Sequence, residues 1–542
     1  MPPRLVEQDA SARLRRHLPF LAVVAVLLLW SGWFVYRSSL VSGGERHFVL
    51  FDDAMISMTY ARNLVEGHGL NWARQGEPVE GFTTPLWTAA MVPANLLGLE
   101  LRLRSLVMQI AGAALLVALL WAVRRLMLEH FATGPAIGGQ PAAASRVGLL
   151  AWLPAVVLTA GFEPLAYWAL MGMESGLQAL LVVLGCHYAF DVAFAGRPRY
   201  LALSVVLALA YLVRMDMAIF AAAVLVLVAV RGGFRRQHRR RWIAGLLGIA
   251  GVAGGYQLFR WLYFGAPLPN TYYLKLADVP LELRLVRGLD TLGGVVDAQL
   301  GALLLVTAVA GWAFPRRDPA RAARLAFLVV LVLLYAAYSV WVGGDVWEID
   351  IGQRANRFVA PFVPLVFVLF NAALLTAPRR VATRLAPVAT LALLVLANGL
   401  WLGEGSKEAW KRVLLVDRPM MVGSHAMVLE ELRRLQEVLA PGAEVVTYWA
   451  GIPAFFSDYR MIDGLGYSDA HIARRPVPPT TPQALYVPGH AKNDLRYLLE
   501  RRPDAYFQVW DLRVSRPGNF MRKRGYRRHG NFWLRSDSPY LR

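Results

Sequence analysis

Apolar runs of about 20 residues, bounded by short polar or basic segments, recur along the chain as far as residue 402. A run of this length crosses the hydrocarbon core of a bilayer as a single helix. We predict about eleven such spans, near residues 18–36, 105–123, 147–168, 176–196, 200–213, 214–231, 242–263, 292–314, 322–343, 358–377 and 384–402. The pattern therefore predicts an α-helical polytopic membrane protein.

Basic clusters set the expected orientation of these spans. Arginines precede the first span and recur at Arg124 with Arg125, over residues 231–241, and at Arg379 with Arg380. Such clusters favour the cytoplasmic side, so we expect a cytoplasmic N-terminus and an extracytoplasmic C-terminus. The apolar segment 85–99 is then an interfacial or re-entrant helix within a first outer loop, residues 39–103.

Two regions are expected on this scheme. Residues 1–402 form a transmembrane domain, within which Arg214-Met215-Asp216 either separates two spans or breaks one long helix. Residues 403–542 are more polar and carry short or alternating apolar runs, which predicts a small extracytoplasmic α/β domain.

The formal net charge of +20 is explained mostly by membrane orientation, so no nucleic-acid partner is expected. The single cysteine, Cys186, excludes a disulfide within the chain and a cysteine-based zinc site. No P-loop or GxGxxG motif is present, and no group of His, Cys and acidic residues has the spacing of a transition-metal site.

The first outer loop opens with two adjacent acids, Asp52 and Asp53, directly before a predicted helix over residues 54–65. One of them is expected to be the N-cap of that helix, which by itself would account for the pair. The functional alternative is a general base, because a carboxylate at a membrane surface can accept a proton from an attacking hydroxyl.

Other polar residues collect in the loops assigned to the same side. Asn270, Tyr272, Tyr273 and Lys275 form either an interfacial aromatic belt with a snorkelling lysine or a phosphate site. Arg354 and Arg357 oppose the positive-inside trend, which favours anion binding. Ionised groups at membrane depth indicate a polar interior. The remaining candidates are Glu174, Arg214, Asp216, Asp345, Arg62, His68 and Glu80, with His471 in the tail expected to be structural.

The motifs together resemble a known family. After the Asp-Asp loop come YARNLVEGHGLNW, VEGFTTPLW, MGMES, LVRMD, PLPNTYYLK, VGGDVWE and RFVAPFVPL, and the tail contains IPAFFSDYRMIDGLGYSDAHIA. This set resembles GT-C-fold glycosyltransferases, and is most similar to bacterial arabinofuranosyltransferases of the mycobacterial terminal β-1,2 branch and to pilin arabinosyltransferases. The resemblance implies a bacterial inner-membrane enzyme that uses a polyprenyl-phosphate sugar.

Carried onto this sequence, the resemblance makes Asp52 the leading base and Asp53 the supporting carboxylate, an order that could be reversed. Lys275, Arg354 and Arg357 become candidate ligands of the donor phosphate. Met215 stands where related sequences often have proline, and Glu348 where a small or apolar residue is common.

The expected function is inverting transfer of a sugar, D-arabinofuranose by resemblance, to a surface polysaccharide or a pilin-like protein. No cofactor is expected, and a divalent cation bridging the aspartates and the phosphate stays open as an alternative that the number of candidate ligands does not support. The alternatives are a mannose-type protein O-glycosyltransferase and a transporter or flippase for lipid-linked sugars. A transporter would predict internal repeats, and none is evident. A structural envelope protein would give no reason for acids, lysine and arginines to gather on outer loops.

Overall fold

A computed structural model describes residues 3–132, 146–232, 236–296, 301, 318–346, 356–376, 378–401, 404–478, 481–483, 486–507 and 517–542. The α-helices before residue 400 are α1 Pro3–Ser38, α2 Asp52–Val65, α3 Pro85–Ala90, α4 Val92–Leu96, α5 Leu101–His130, α6 Arg146–Leu150, α7 Leu153–Ala160, α8 Glu163–Leu170, α9 Ser175–Ala193, α10 Tyr200–Val213, α11 Ala218–Val230, α12 Arg239–Phe264, α13 Asn270–Lys275, α14 Leu281–Val295, α15 Pro319–Val342, α16 Val363–Leu374 and α17 Arg379–Ala397.

The C-terminal region, residues 404–542, contains both helices and strands. Its helices are α18 Glu404–Val413, α19 Val422–Val438, α20 Ile452–Phe455, α21 Ala470–Ala473, α22 Leu495–Glu500 and α23 Pro517–Arg522. Strands β1 Leu40–Ser42 and β2 Glu45–His47 form a hairpin in the first loop, and β3 Glu444–Thr447, β4 Arg460–Asp463, β5 Ala505–Phe507, β6 Tyr526–His529 and β7 Phe532–Arg535 form one sheet.

The predicted helical membrane architecture is confirmed. Within the described residues, six helices are long and apolar enough to cross a membrane: His17–Ser38, Leu101–His130, Ser175–Ala193, Arg239–Phe264, Pro319–Val342 and Arg380–Ala397. Shorter apolar helices occupy Tyr200–Val213, Met215–Val230 and Ala360–Leu374. The span expected near 292–314 lies largely outside the described residues. The chain is therefore a multi-pass membrane protein.

The span expected over residues 147–168 is not a single helix. Leu153–Ala160 and Glu163–Leu170 meet at an angle of 53°. The side chain of Asn398 bridges the break, donating to the carbonyl of Gly161 at 2.8 Å and accepting from the amide of Glu163 at 2.9 Å. A break at membrane depth is tolerated where such partners satisfy the backbone groups that the helix releases.

The helical ladder is also interrupted between α10 and α11, as the charged residues there indicated. Arg214 is extended, with φ −155° and ψ 133°, and a short 3₁₀ helix, Met215–Met217, follows it. The interruption turns the Arg214 guanidinium toward two carboxylates, described below.

The first loop contains α2 and, after a polar stretch, the two short helices α3 and α4. Helices of six and five residues are too short to cross a bilayer, so the loop assignment of the apolar segment 85–99 agrees with the structure. One detail of the prediction is wrong. Phe51 occupies the N-cap of α2, while Asp52 and Asp53 lie in its first turn and neither caps it.

The C-terminal region has the predicted mixed α/β character. Its sheet has strand order β4-β3-β5-β7-β6, with β3 parallel to both β4 and β5, and β7 antiparallel to β5 and β6. Buried Val446, Tyr506 and Trp533 belong to an apolar cluster around it.

This region docks on the first loop through several buried hydrogen bonds. Arg62 of α2 donates to the carbonyls of Phe455 and Ser457 and pairs with Asp458 at 2.7 Å, and the indole of Trp72 donates to the carbonyl of Ala450 at 2.7 Å. The first loop and the C-terminal region are therefore on the same side of the membrane bundle.

Candidate active site

A cavity of about 440 Å³ lies where the first loop, the C-terminal region and several helix ends meet. Among the described residues that line it, eight are formally charged, four acidic and four basic: Asp53, Glu174, Asp216 and Asp345, with Arg214, Arg260, Lys275 and Arg357. Tyr272 lines it as well. The cavity therefore brings charged residues from distant parts of the chain together within walls that are otherwise mostly apolar.

Arg357 joins two carboxylates at the cavity wall. Its guanidinium makes two bonds to Asp345, at 2.6 and 2.7 Å, and one to Oδ2 of Asp53 at 2.7 Å. Burial raises the pKa of Asp345, but the adjacent guanidinium more than offsets this and lowers that pKa to about 2. Asp345 is therefore a fixed counter-ion that holds Arg357 beside Asp53.

Asp53 is the more accessible member of this group, with 19% of its side chain exposed against 2% for Asp345. Among the described residues, its Oδ2 accepts the bond from Arg357 and its Oδ1 accepts none. One carboxylate oxygen thus remains for a group that enters the cavity.

Asp52 has a different environment and does not line the cavity. Its carboxylate accepts hydrogen bonds from the backbone amides of Gly451 at 3.2 Å and Ile452 at 2.8 Å, at the start of α20. Burial raises its pKa to about 7, although the Ile452 amide acts in the opposite direction. The structure therefore places Asp52 between α2 and the C-terminal region, and Asp53 on the cavity wall.

A second ion-pair group forms at the helix break. Arg214 makes two bonds to Asp216, at 3.0 and 2.9 Å, and one to Glu174 at 3.0 Å, and its guanidinium lies 4.7 Å from the centre of the Phe358 ring. The three side chains are nearly buried. Their mutual pairing explains how charged groups are accommodated at membrane depth.

Glu80 belongs to a third group, with a partner that sequence reasoning missed. Its carboxylate accepts from Arg260 at 2.5 Å and from the Tyr256 hydroxyl at 2.6 Å. Arg260 lies within the apolar helix α12 and lines the cavity. A lone arginine inside a membrane-length apolar run is the signal that could have identified it.

Lys275 differs from the three arginines of the cavity. In the part of the chain that the structure describes, its ammonium has no carboxylate within ion-pair distance, and it lies 5.1 Å from the centre of the Tyr467 ring. Burial and the charge of Arg357 lower the pKa of Lys275. An accessible cation that lacks a carboxylate partner is suited to an incoming anion.

Tyr467 is a second cavity residue that the sequence did not indicate. It lies on a turn held by Asp463, whose carboxylate accepts from the amides of Leu465, Gly466 and Ser468. The C-terminal region therefore contributes directly to the cavity wall.

Several predicted site residues lie elsewhere. Arg62 anchors the C-terminal region, His68 is exposed, Asn270 bonds to backbone carbonyls, and Tyr273 packs against Arg474. His471 pairs with Asp494 at 3.0 Å and stacks on Tyr497, in agreement with its expected structural role. Arg354 lies outside the described residues.

A buried cluster of His130, His187 and Asp191 joins α5 to α9, away from the cavity. Nε2 of His130 lies 3.1 Å from Nδ1 of His187. The two carboxylate oxygens of Asp191 pair with Arg197 at 3.0 Å and with Arg199 at 3.2 Å. Because arginines neutralise the carboxylate, we interpret the cluster as a structural network. His187 and Asp191 lie on α9 and His130 lies on α5, so the spacing of the three residues in the sequence did not mark them as a group.

Fold and site together define a multi-pass helical membrane protein with a charged cavity at one end, completed by a mixed α/β region. Its sequence is similar to the terminal beta-(1->2)-arabinofuranosyltransferases of Mycobacterium tuberculosis and Corynebacterium glutamicum. The first is 28% identical over 264 residues, 46% of this chain and 37% of the relative. The second is 27% identical over 352 residues, 60% of this chain and 48% of the relative. The chain thus spans less than half the length of these curated relatives.

Two further comparisons concern the tail and the overall shape. Residues 422–540 match a family model described as a domain of unknown function, DUF8728. Structures of ArnT from Cupriavidus metallidurans align at 12% identity: the undecaprenyl-phosphate complex at a TM-score of 0.46, over 84% of this chain and 76% of that one, and the apo form at 0.48, over 83% and 86%. The resemblance to arabinofuranosyltransferases that the motifs indicated is confirmed by the two named relatives.

Proposed function

We propose that this protein is an inverting glycosyltransferase that moves a sugar from a polyprenyl-phosphate donor to an acceptor hydroxyl on the extracytoplasmic side. The observation that carries the proposal is the cavity in which Asp53, Arg357 and Lys275 lie together. It combines a partly exposed carboxylate with cations suited to a phosphate, beside helices that lipid can reach. The names of the similar relatives support the same reaction class.

In the proposed reaction, Asp53 is the general base. Its Oδ1 accepts the proton of the acceptor hydroxyl as the hydroxyl oxygen bonds to the anomeric carbon of the donor. The bond between that carbon and the phosphate oxygen breaks, and the electron pair leaves with the polyprenyl phosphate. A phosphate leaving group needs no proton at this step, so one carboxylate is sufficient.

Lys275 is proposed to bind the donor phosphate. Its ammonium can approach an oxygen of the phosphodiester without first leaving a carboxylate among the described residues, whereas each cavity arginine would have to share its charge. Charge that develops on the leaving phosphate is thereby stabilised in a partly desolvated site. Arg357 mainly orients Asp53 and adds positive potential.

The proposed sugar is D-arabinofuranose, because the similar relatives are named arabinofuranosyltransferases. The proposed acceptor is a surface polysaccharide or a pilin-like protein, and no cofactor is invoked. The orientation that this requires, with the cavity and the C-terminal region outside, follows from the basic clusters in the sequence.

The test is transfer by the full chain in lipid nanodiscs, using synthetic polyprenyl-phosphate donors that carry arabinofuranose, mannose or aminoarabinose and an arabinan oligosaccharide or pilin-like peptide as acceptor. We expect turnover with the arabinofuranose donor, and loss of turnover in Asp53→Asn. If none of the donors is hydrolysed or used for transfer, the proposal is contradicted. Movement of the donor across a vesicle membrane without transfer would identify a flippase instead.

A further inference from the structure

Helix α13, which ends at Lys275, is held by the C-terminal region at both of its ends. At its start, the amide group of Asn270 donates to the carbonyls of Gly466 at 2.9 Å, Tyr467 at 2.9 Å and Asp469 at 3.2 Å. The backbone amide of Asn270 also donates to the carbonyl of Glu80 at 2.9 Å. The start of α13 is thus fixed to the turn that carries Tyr467.

At the other end of α13 lies Lys492, which is 1% exposed. Its ammonium donates to the carbonyls of Tyr273 at 2.6 Å and Ala277 at 2.7 Å, and to that of Ala473 at 3.0 Å. Three acceptors use all three of its donors. Two of these carbonyls flank Lys275 in sequence, and the third belongs to the C-terminal region.

This arrangement is unusual for a buried lysine, because a buried charge is normally paired with a carboxylate. Among the described residues, Lys492 has no carboxylate within ion-pair distance. Two carbonyls at the C-terminal end of α13, together with that of Ala473 at the end of α21, take that place. The contacts therefore hold Tyr273 and Ala277 at fixed positions on either side of Lys275.

We propose that Lys492 is a positioning residue that sets where the ammonium of Lys275 lies in the cavity. The inference deepens the proposed function and rests on the assignment of Lys275 to the donor phosphate. Lys492 does not line the cavity. It fixes the backbone on both sides of Lys275 and joins that backbone to the region that presents Tyr467.

A purely structural role would give a different result. If Lys492 only stabilised the C-terminal region, its loss would lower the amount of folded protein or affect all kinetic constants together. If it positions Lys275, its loss should act on donor binding, and only while Lys275 is present. The distinction can be measured without knowing which sugar is transferred.

The first measurement is chemical and independent of activity. In the full chain in nanodiscs, the rate at which a water-soluble acetylating reagent modifies Lys275 is followed by peptide mass spectrometry in wild type and Lys492→Met. Asn270→Ala, which loosens the other end of α13, is the second variant, in case Lys492→Met folds poorly. The exposed Lys523→Met is the matched control. We expect the acetylation rate of Lys275 to change by about threefold or more in Lys492→Met and in Asn270→Ala, which is the scale of one lost hydrogen bond. The rate should not change in the control.

The second measurement is kinetic. Lys492→Met should raise the donor KM about tenfold, with kcat and the acceptor KM nearly unchanged, because one charge-assisted contact is displaced. In the Lys275→Met background, the same substitution should change the donor KM by less than about twofold, since the residue through which it acts is gone.

The outcomes separate the two proposals. Unchanged labelling of Lys275 in both α13 variants, or equal effects of Lys492→Met with and without Lys275, would overturn the positioning role. Altered labelling with an unchanged donor KM would support the positioning role and contradict the assignment of Lys275 to the donor phosphate.

Discussion

Asp52 and Asp53 are adjacent in the chain, yet their carboxylates have separate partners. Asp52 accepts from the amides of Gly451 and Ile452, whereas Asp53 pairs with Arg357 at 2.7 Å and lines the cavity. Successive residues of a helix point about 100° apart, so one can face a packed neighbour while the other faces a cavity. The two acids therefore differ in environment: Asp52 joins α2 to the C-terminal region, and Asp53 faces the cavity, where we propose that it is the base.

Substitution of the two acids should separate these roles. Asp53→Asn keeps the shape of the side chain and a hydrogen bond from Arg357 but removes the base, so kcat should fall by about 10²- to 10⁴-fold. Asp52→Asn should reduce kcat by less than about tenfold, because it leaves Asp53 in place. Initial rates in nanodiscs, corrected for folded protein, provide the measurement. Equal losses in the two variants would show that Asp53 has no special role.

The pairing of Arg357 with both Asp53 and Asp345 predicts which of two substitutions destabilises the protein more. Arg357→Met leaves Asp53 and Asp345 without their shared counter-ion and should cost about 3–5 kcal/mol. Asp345→Asn leaves Arg357 paired with Asp53 and should cost about 1–3 kcal/mol. Thermal unfolding in detergent, followed by intrinsic tryptophan fluorescence, compares the two variants. Greater destabilisation by Asp345→Asn would contradict the central position of Arg357.

Lys275 predicts how donor binding depends on pH. Burial and Arg357 lower its pKa, so its charge is lost at lower pH than that of an exposed lysine. Donor affinity should therefore weaken as pH rises through this lowered value, and Lys275→Arg, which stays charged, should remove the dependence. The donor KM is measured from pH 6 to pH 10 in both proteins. A pH profile shared by wild type and Lys275→Arg would assign the titration to another group.

From the raised pKa of Asp52 we expect that docking of the C-terminal region weakens as pH rises. Burial raises the folded-state pKa of Asp52 to about 7, well above the ordinary value of an aspartate. A raised carboxyl pKa contributes stability that is full below the unfolded pKa and is lost as pH rises through the folded value. Hydrogen exchange at residues 451–456 should therefore speed up between pH 4 and pH 7, after correction for the intrinsic rate. Asp52→Asn should not show this change.

From the close packing at Gly451 we expect a steric effect at the contact between α2 and the C-terminal region. An added Cβ there would overlap the carbonyl oxygen of Asp52 and come within 2.7 Å of the Met55 Cβ. Gly451→Ala should separate α20 from α2 and lower activity at least as much as Asp52→Asn. The open Gly423, where an added Cβ meets no atom within 4 Å, is the matched control. Limited proteolysis of the C-terminal region reports the separation.

The helices were the most predictable part of the fold. The observed α5, α9, α12 and α15 match the expected spans within a few residues at most ends, because an apolar run of bilayer length has few other stable conformations. The break near Gly161 was missed, since its cause, the side chain of Asn398, is remote in sequence.

The types of residue in the site could be predicted from the sequence, but which of these residues pair with one another could not. Lys275, Arg357, Asp345, Glu174 and Arg214 stood out because charge is costly near a membrane, and all five line the cavity. The different environments of Asp52 and Asp53 depend on an amide that lies 400 residues from Asp52 in the sequence. Tyr467 lies within the tail motif but was not singled out, because an aromatic residue in a polar tail has many ordinary explanations.

The contacts of Asp52, Asn270 and Lys492 also bear on how the protein matures. Each joins an earlier part of the chain to residues between 451 and 492, which the ribosome makes only after every apolar helix that the structure describes. A nascent chain can thus insert all of those helices while Asp53 and Lys275 still lack their final supports. On the proposed function, transfer activity should therefore appear only late in biogenesis, after the tail has folded against the first loop.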